Sequence, residues 1–127
     1  MDELERVLDL CRQEAGGRAA AVVGRDGLII ASSVAASDVA EPDAAADLPL
    51  AGAETTDLLR VADRLLSEAV ASAGTEEVWA RSADAGVLAR RLQDRSVLMV
   101  VLPADADAAV ASTALGGRLP EIDAALA

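Results

Sequence analysis

The side chains that could take part in chemistry are acidic, and the chain offers them few partners. Paired carboxylates occur at Glu76-Glu77 and at Asp105 and Asp107, and such pairs act as acid and base only when a cleft removes them from water. Cys11 is the one cysteine, and no histidine or lysine is present to lower the pKa of its thiol. Surface solvation, helix capping and a buried structural thiol explain these residues more simply. We therefore predict no catalytic residue and a protein that is not an enzyme.

The residue types that the chain lacks exclude several classes of function. The 127 residues include 22 acidic and 11 basic groups and no histidine, and the formal net charge is −11. A Ser-His-Asp triad, a Cys-His dyad and a histidine metal site are impossible, and the lack of lysine excludes a P-loop. The negative net charge repels nucleic acid unless basic residues cluster. The arginines are scattered along the sequence, and only Arg90 and Arg91 are adjacent. We predict no cofactor, no metal and no nucleic-acid partner.

Residues 34–48 form a small, acidic stretch that Pro42 interrupts, and we interpret it as a flexible acidic loop. Four of its side chains carry carboxylates: Asp38, Glu41, Asp43 and Asp47. Their spacing lacks the glycine and the terminal glutamate of an EF-hand loop. A solvated loop is therefore preferred over a cation site.

Length and composition fit a single domain inside the cell. A chain of 127 residues can bury one aliphatic core. A single cysteine forms no internal disulfide, and no run approaches the 18 apolar residues of a membrane span. The acidic start, Met1-Asp2-Glu3, is unlike a secretory signal peptide. We expect a cytoplasmic protein without membrane insertion, and the excess of alanine and arginine is typical of a GC-rich bacterial genome.

Hydrophobic periodicity predicts elements in the order α-β-β-α-β-β-β-α. Helices are predicted over residues 2–15, 50–73 and 105–126, and strands over 18–23, 28–33, 77–81, 87–92 and 97–102. Pro120 should break or kink the last helix. The short connections favour antiparallel pairing, and the apolar run 97–102 belongs at the centre of a covered sheet. We predict an α/β (α+β) fold in which a five-stranded antiparallel sheet carries helices on both faces.

Two of these elements have candidate interaction surfaces. The helix over 50–73 carries an apolar stripe that can pack on a sheet or on a partner helix: Leu58, Leu59, Ala62, Leu65, Leu66, Ala69, Val70 and Ala73. Trp79 is the sole aromatic residue, on a strand where Glu77 and Arg81 share its face and Val78 and Ala80 take the other. It is either an interface anchor or a core filler beneath a helix, and the sequence leaves both open.

Residues 17–33, GRAAAVVGRDGLIIASS, resemble the opening hairpin of the roadblock/dynein light chain superfamily. That family has a first strand, an Asp-Gly turn and a second apolar strand that ends in Ala-Ser. The order and length of the remaining elements agree over essentially the whole chain. The resemblance implies a single roadblock-like domain over residues 1–127, a roadblock/profilin-like fold and no enzymatic activity.

The resemblance also implies a homodimer, or a heterodimer with a roadblock paralogue. Such dimers pair the third strands of two chains and pack their long second helices together, which maps to residues 76–82 and 58–70 here. The implied interface residues are Leu58, Leu59, Ala62, Leu65, Leu66, Ala69, Glu77, Val78, Trp79 and Arg81. If the strands pair around Trp79, Glu77 of one chain lies opposite Arg81 of the other. Bacterial members bind Ras-like small GTPases of the gliding-motility type, so a regulator or scaffold for such a GTPase is implied.

Two other functions are compatible with the sequence. A small-ligand sensory module of the profilin-like or PAS-like kind needs a pocket between sheet and helices, and the scarcity of aromatic residues disfavours it. An enzyme that uses carboxylates alone is the third possibility. Arg25 and Arg95 lie in predicted turns from which an arginine finger could reach a GTPase. The resemblance argues against that role, because bacterial roadblock regulators reposition the GTPase's own residues.

Overall fold

The computed structural model describes residues 2–40 and 46–127. The strands are β1 (Ala19–Val23), β2 (Ile29–Val34), β3 (Glu77–Arg81), β4 (Ala85–Arg91) and β5 (Val97–Pro103). The helices are α1 (Glu3–Ala15), α2 (Ala36–Ala40), α3 (Leu48–Arg64) and α4 (Ala108–Leu126). A π-helical turn, Leu65–Ala69, extends α3. The predicted fold class is confirmed, with α2 as an added element.

Every strand pair in the sheet is antiparallel, and the order of the strands is β2-β1-β5-β4-β3. The apolar run that becomes β5 lies at the centre, as predicted, and its residues 97–102 are buried. The Asp-Gly turn joins β1 to β2, and Gly27 there has a φ of +83°, which glycine adopts without strain. β2 and β3 form the two edges of the sheet.

Helices cover the two faces of the sheet unequally. On one face α1 and α4 enclose the larger cluster of buried residues, which includes Leu8, Leu88 and Leu115. On the other face α3 covers a smaller cluster around Leu59 and Met99. Adjacent residues of β3 point to opposite faces, as alternation predicts: Trp79 packs against the larger cluster and its neighbour against the smaller one.

Aspartates begin three of the helices. The Asp2 carboxylate accepts a hydrogen bond of 2.8 Å from the Glu5 backbone N–H at the start of α1. Asp47 caps α3 in the same way, and Asp107 accepts from two backbone N–H groups at the start of α4. Such caps satisfy donors that the first turn leaves unpaired. The predicted capping role therefore falls to Asp107, while Asp105 is exposed.

The predicted loop over residues 34–48 is corrected in its described part, because Ala36–Ala40 form the helix α2. Asp38 is buried within α2 and lies 3.4 Å from the Arg18 guanidinium. This ion pair ties α2 to the segment before β1. Residues 41–45, which include two of the four acidic side chains, lie outside the described residues.

The long helix and the last helix both differ from their predicted extents. Regular α-helix ends at Arg64, and a π-helical turn follows instead of a helix that continues to 73. α4 is one helix, with Pro120 inside it. Proline removes the hydrogen bond to the carbonyl four residues earlier, which belongs to Gly116. No helix in the described ranges combines the length and apolarity needed to cross a membrane.

Candidate interaction surface

The helix α3 approaches the sheet closely along one narrow side. Its buried residues are Gly52, Thr55 and Leu59. A Cβ atom on Gly52 would lie 3.0 Å from Ile29 Cδ1, so a larger residue would push the helix away. The Thr55 hydroxyl lies 3.3 Å from the Met99 sulfur, within hydrogen-bonding reach. These contacts hold α3 over β1, β2 and β5, and they leave β3 and the outer part of β4 uncovered on this face.

The solvent-exposed surface of α3 and of the residues that extend it carries large aliphatic side chains among charged ones such as Asp57, Arg60 and Arg64. Four large side chains are exposed there: Leu58 40%, Val61 52%, Leu65 58% and Val70 59%. A monomeric protein rarely exposes so many aliphatic side chains on one element, and such patches mark contact surfaces. We call these four residues, the groove beside them and the outer edge of β3 the α3–β3 surface.

The groove of the α3–β3 surface lies between α3 and the uncovered half of the sheet. Its space of about 190 Å³ is lined from the sheet by Val78, Ala80, Val87 and Ala89. The helix contributes Ala51, Glu54, Thr55 and Leu58. The surface of the groove is almost wholly apolar, because small aliphatic side chains line it. In a closed two-layer fold a second helix would pack at this position.

β3 offers a backbone edge directly beside this groove. On its inner side it pairs with β4, and the register sets Glu77 opposite Arg90 and Trp79 opposite Leu88. No other strand in the described residues pairs with its outer side. An unpaired edge presents a row of N–H and C=O groups that can add a strand from another chain.

Trp79 fills core space in the described chain. Its ring lies over Gly86, where an added Cβ would come within 2.3 Å of the indole. The side chain is half-buried and packs with the cluster beneath α1 and α4. Of the two roles left open by the sequence, core filling is therefore the one the geometry displays.

The other predicted interface residues divide into three groups. Leu58 and Leu65 are exposed in the α3–β3 surface, Ala69 is also exposed, and Ala62 and Leu66 are half-buried. Leu59 is 1% exposed and belongs to the core of the protomer, which corrects its assignment to an interface. Val61 was missed, although its positions three after Leu58 and four before Leu65 place it on the same side.

The charged residues of β3 are not equivalent. Glu77 accepts a hydrogen bond of 2.9 Å from the Ser112 hydroxyl and lies 3.5 Å from an Arg90 nitrogen. Arg81 is exposed at the other end of the strand. The Glu77 carboxylate thus already has two partners in its own chain. An ion pair with Arg81 of a second chain would have to form in addition to these two contacts.

The acidic and thiol groups considered for chemistry are separate from one another. Cys11 is fully buried, and desolvation raises the pKa of its thiol to about 11, so it is inert as a nucleophile. Glu76 is exposed, while its neighbour has the partners given above. No three acidic, cysteine or histidine side chains of the described residues are grouped as metal ligands.

The chain matches no protein-family model and no curated protein sequence. Its structure is similar to a gliding protein, MglB from Thermus thermophilus, with a TM-score of 0.80, 15% identity, and coverage of 97% of this chain and 87% of that chain. The Roadblock/LC7 domain from Streptomyces avermitilis is similar with a TM-score of 0.80 and 14% identity, and the match covers 98% of each chain. Acanthamoeba castellanii profilin IA is similar with a TM-score of 0.62 and 16% identity, and the match covers 94% of this chain and 96% of that chain. At these identities the likeness establishes a roadblock fold, related to that of profilin.

Proposed function

We propose that this protein is a non-enzymatic, dimeric regulator or scaffold that binds a Ras-like small GTPase. The observation that carries the proposal is the α3–β3 surface, where an open strand edge, an apolar groove and four exposed aliphatic side chains adjoin. All three features are what a second copy of the same surface would cover. The proposal treats residues 1–127 as one roadblock-like domain.

A symmetric dimer accounts for each part of the surface. Antiparallel pairing of two β3 edges satisfies their free backbone groups and joins the two sheets into one. The same two-fold axis brings the groove sides of the two α3 helices toward each other, since Leu58 of each helix borders the groove above its own β3. Leu58, Val61 and Leu65 then pack across the axis and close the groove. Full burial of an exposed side chain of this size contributes roughly 1.5–3 kcal/mol, and these three side chains contribute about half as much each because 40% to 58% of their surface remains exposed in the protomer.

The GTPase partner rests on the resemblance to roadblock domains and on the likeness to a gliding protein. The absence of catalytic chemistry rests on the residues: the chain has no histidine, and its thiol is buried with a raised pKa. A protein of this kind acts by shape and charge, through the continuous surface that two protomers build. It would hold a GTPase or bias its conformation, without supplying a reacting group.

The dimer is tested by light scattering coupled to gel filtration. We expect the unmodified protein to elute as a dimer and Leu65→Glu as a folded monomer, because a carboxylate at the axis would be buried without a partner. Val110→Glu is the matched control, since Val110 is exposed to a similar degree, 61% against 58%, but lies on α4 on the other face. A monomeric parent protein, or a dimeric Leu65→Glu variant, contradicts the proposal.

The partner is tested by calorimetric titration of the dimer with a Ras-like GTPase from the same genome, loaded with GDP or with a non-hydrolysable GTP analogue. We expect binding that depends on the nucleotide and is lost in Leu65→Glu but retained in Val110→Glu. We also expect Arg25→Ala and Arg95→Ala to leave GTP hydrolysis by the partner nearly intact. A hundredfold loss of hydrolysis in either arginine variant would show that it supplies an arginine finger.

A further inference from the structure

A second concave surface lies at the end of the sheet where β4 ends and β5 begins. Two adjoining spaces of about 750 Å³ and about 180 Å³ share Asp63, Arg91 and Arg95 in their linings. Together they wrap around the sheet end from α3 to α4. We call this surface the arginine cleft. A space of several hundred cubic ångströms is the usual size of a small-molecule site.

The arginine cleft reverses the charge balance of the molecule. Its lining contains five of the eleven arginines but only three of the 22 acidic residues. The arginines are Arg25, Arg60, Arg90, Arg91 and Arg95, and the acids are Asp63, Glu76 and Asp123. Nearly half of the arginines of a chain with a formal charge of −11 thus line this one cleft.

Salt bridges within the chain engage three of the five arginines: Arg60 pairs with Asp57 at 3.1 Å, Arg90 with Glu77 at 3.5 Å, and Arg91 with Asp63. Arg91 donates to the Asp63 carboxylate at 2.8 Å and to the Thr75 carbonyl at 3.3 Å, which fixes it along the wall of the cleft. Arg25 donates through Nε to the Asp94 carbonyl, which leaves its terminal nitrogens available. Neither Arg25 nor Arg95 forms a salt bridge within the described residues.

Asp63 cannot neutralise the remaining arginines as well. Its carboxylate already accepts hydrogen bonds from the Thr75 backbone N–H at 2.7 Å and from Arg91. The first of these bonds is the main reason that the pKa of Asp63 lies below its ordinary value. The carboxylate is therefore ionised and bonded to Arg91, and Arg95, whose charge also helps to lower the pKa of Asp63, forms no salt bridge with it within the described residues.

The backbone of Arg95 is in a conformation that arginine rarely adopts. Its φ is +71°, in the left-handed region, where glycine or asparagine fits at lower cost. Arg95 takes this conformation in the tight turn between β4 and β5, where its backbone N–H donates to the Leu92 carbonyl at 3.0 Å. The buried Thr75 hydroxyl lines the same cleft and helps to lower the pKa of the nearby Asp63 carboxyl, although it makes no well-formed hydrogen bond among the described residues.

We propose that the arginine cleft binds a small, multiply charged anion through the guanidinium groups of Arg95 and Arg25, with Arg91 held in place beside them. Guanidinium forks match both phosphate and carboxylate groups, so these are the ligand chemistries that the cleft accepts. Leu92, Leu119 and Pro120 line the side of the cleft next to α4 and suit an apolar body attached to the anionic group. This site is separate from the α3–β3 surface and does not depend on dimer formation.

The site is tested by calorimetric titration with sodium pyrophosphate and with sodium citrate, at constant ionic strength set by sodium chloride. We expect saturable binding of at least one anion, and its identity separates phosphate from carboxylate ligands. Arg95→Gln should weaken that binding about tenfold or more, the loss expected for a charge-assisted hydrogen bond. Arg6→Gln, which removes an exposed arginine on α1, should leave binding unchanged. Equal losses in both variants, or no saturable binding, would overturn the proposal.

A glycine variant separates binding from folding. Arg95→Gly relieves the left-handed backbone, so its melting temperature without ligand should rise above that of the parent protein. The same variant should bind the anion at least tenfold more weakly, because the guanidinium is gone. If Arg95→Gly keeps the parent's affinity, the arginine has no role in a site. The monomeric Leu65→Glu variant should bind the anion as the parent does.

Discussion

The two faces of the sheet differ in how completely their own helices cover them. On one face α1 and α4 enclose a large cluster that reaches from β1 to the half-buried Trp79 at the edge. On the other, α3 covers the inner strands and leaves the α3–β3 surface open. The closed face stabilises the protomer, whereas the open face holds apolar area that folding alone does not bury. We base the proposed contact surface on that exposed apolar area.

The largest expected effect contrasts one leucine from each face. Leu115→Ala removes a fully buried side chain from the closed face and should lower the free energy of unfolding by about 2–5 kcal/mol. Leu65→Ala should change it by no more than about 0.5 kcal/mol under conditions where the protein is monomeric. It should instead weaken the dimer about 10- to 100-fold. Urea denaturation and sedimentation measure the two quantities, and a similar profile for both variants would contradict the contrast.

A smaller loss is expected at the edge of the closed face. Gly86→Ala places a methyl group 2.3 Å from the Trp79 ring, so the ring must move out of the cluster or the strands must shift. We expect a loss of about 1–3 kcal/mol in the free energy of unfolding, measured by urea denaturation. Gly117→Ala is the control, because an added Cβ there meets nothing within 4 Å. No difference between the two variants would mean that the ring is free to rotate away.

A gain in stability is expected near the open end of the sheet. Thr75→Val keeps the shape of a buried side chain and removes a hydroxyl without a hydrogen-bond partner among the described residues. The free energy of unfolding should rise by about 1 kcal/mol, because an unsatisfied buried polar group no longer has to be desolvated. Thermal and urea denaturation provide the measurement. A loss of stability would indicate that a bound water satisfies the hydroxyl.

The smallest effect concerns acid stability. Asp63 has a pKa below its ordinary value of 3.8, chiefly because the Thr75 backbone N–H donates to it. A depressed folded pKa adds stability that is complete above the unfolded pKa and is lost as the pH falls through the folded one. The stability advantage of the parent over Asp63→Asn should therefore shrink as the pH is lowered from about 5 to about 2. A constant difference across that range would contradict the assignment.

Much of the fold follows from local sequence, because single elements carry their own signals. The continuous apolar run predicts the central strand β5, the Asp-Gly pair predicts the first hairpin, and alternation assigns the two faces of β3. The five-residue helix α2 was not predicted, since it is too short to show periodicity. The end of α3 was also misplaced, because apolar spacing continues to 73 although the backbone changes at Leu65.

The candidate sites were less predictable than the fold, because they depend on which residues meet in space. The apolar stripe gave the helix of the α3–β3 surface but could not separate the buried Leu59 from the exposed Leu58 and Leu65. That division depends on how close Gly52 lets α3 approach the sheet. The arginine cleft had no linear signal beyond the adjacent pair of Arg90 and Arg91, since its other members come from the first turn, from α3 and from the turn before β5.

The single indole makes the protein its own optical probe. Trp79 is the only aromatic residue, so all ultraviolet fluorescence originates at the open strand beside the proposed two-fold axis. Emission from this ring responds to a change of solvent at that margin. Dilution of an unlabelled sample would therefore report the separation of two subunits as a shift in emission wavelength, without an attached dye.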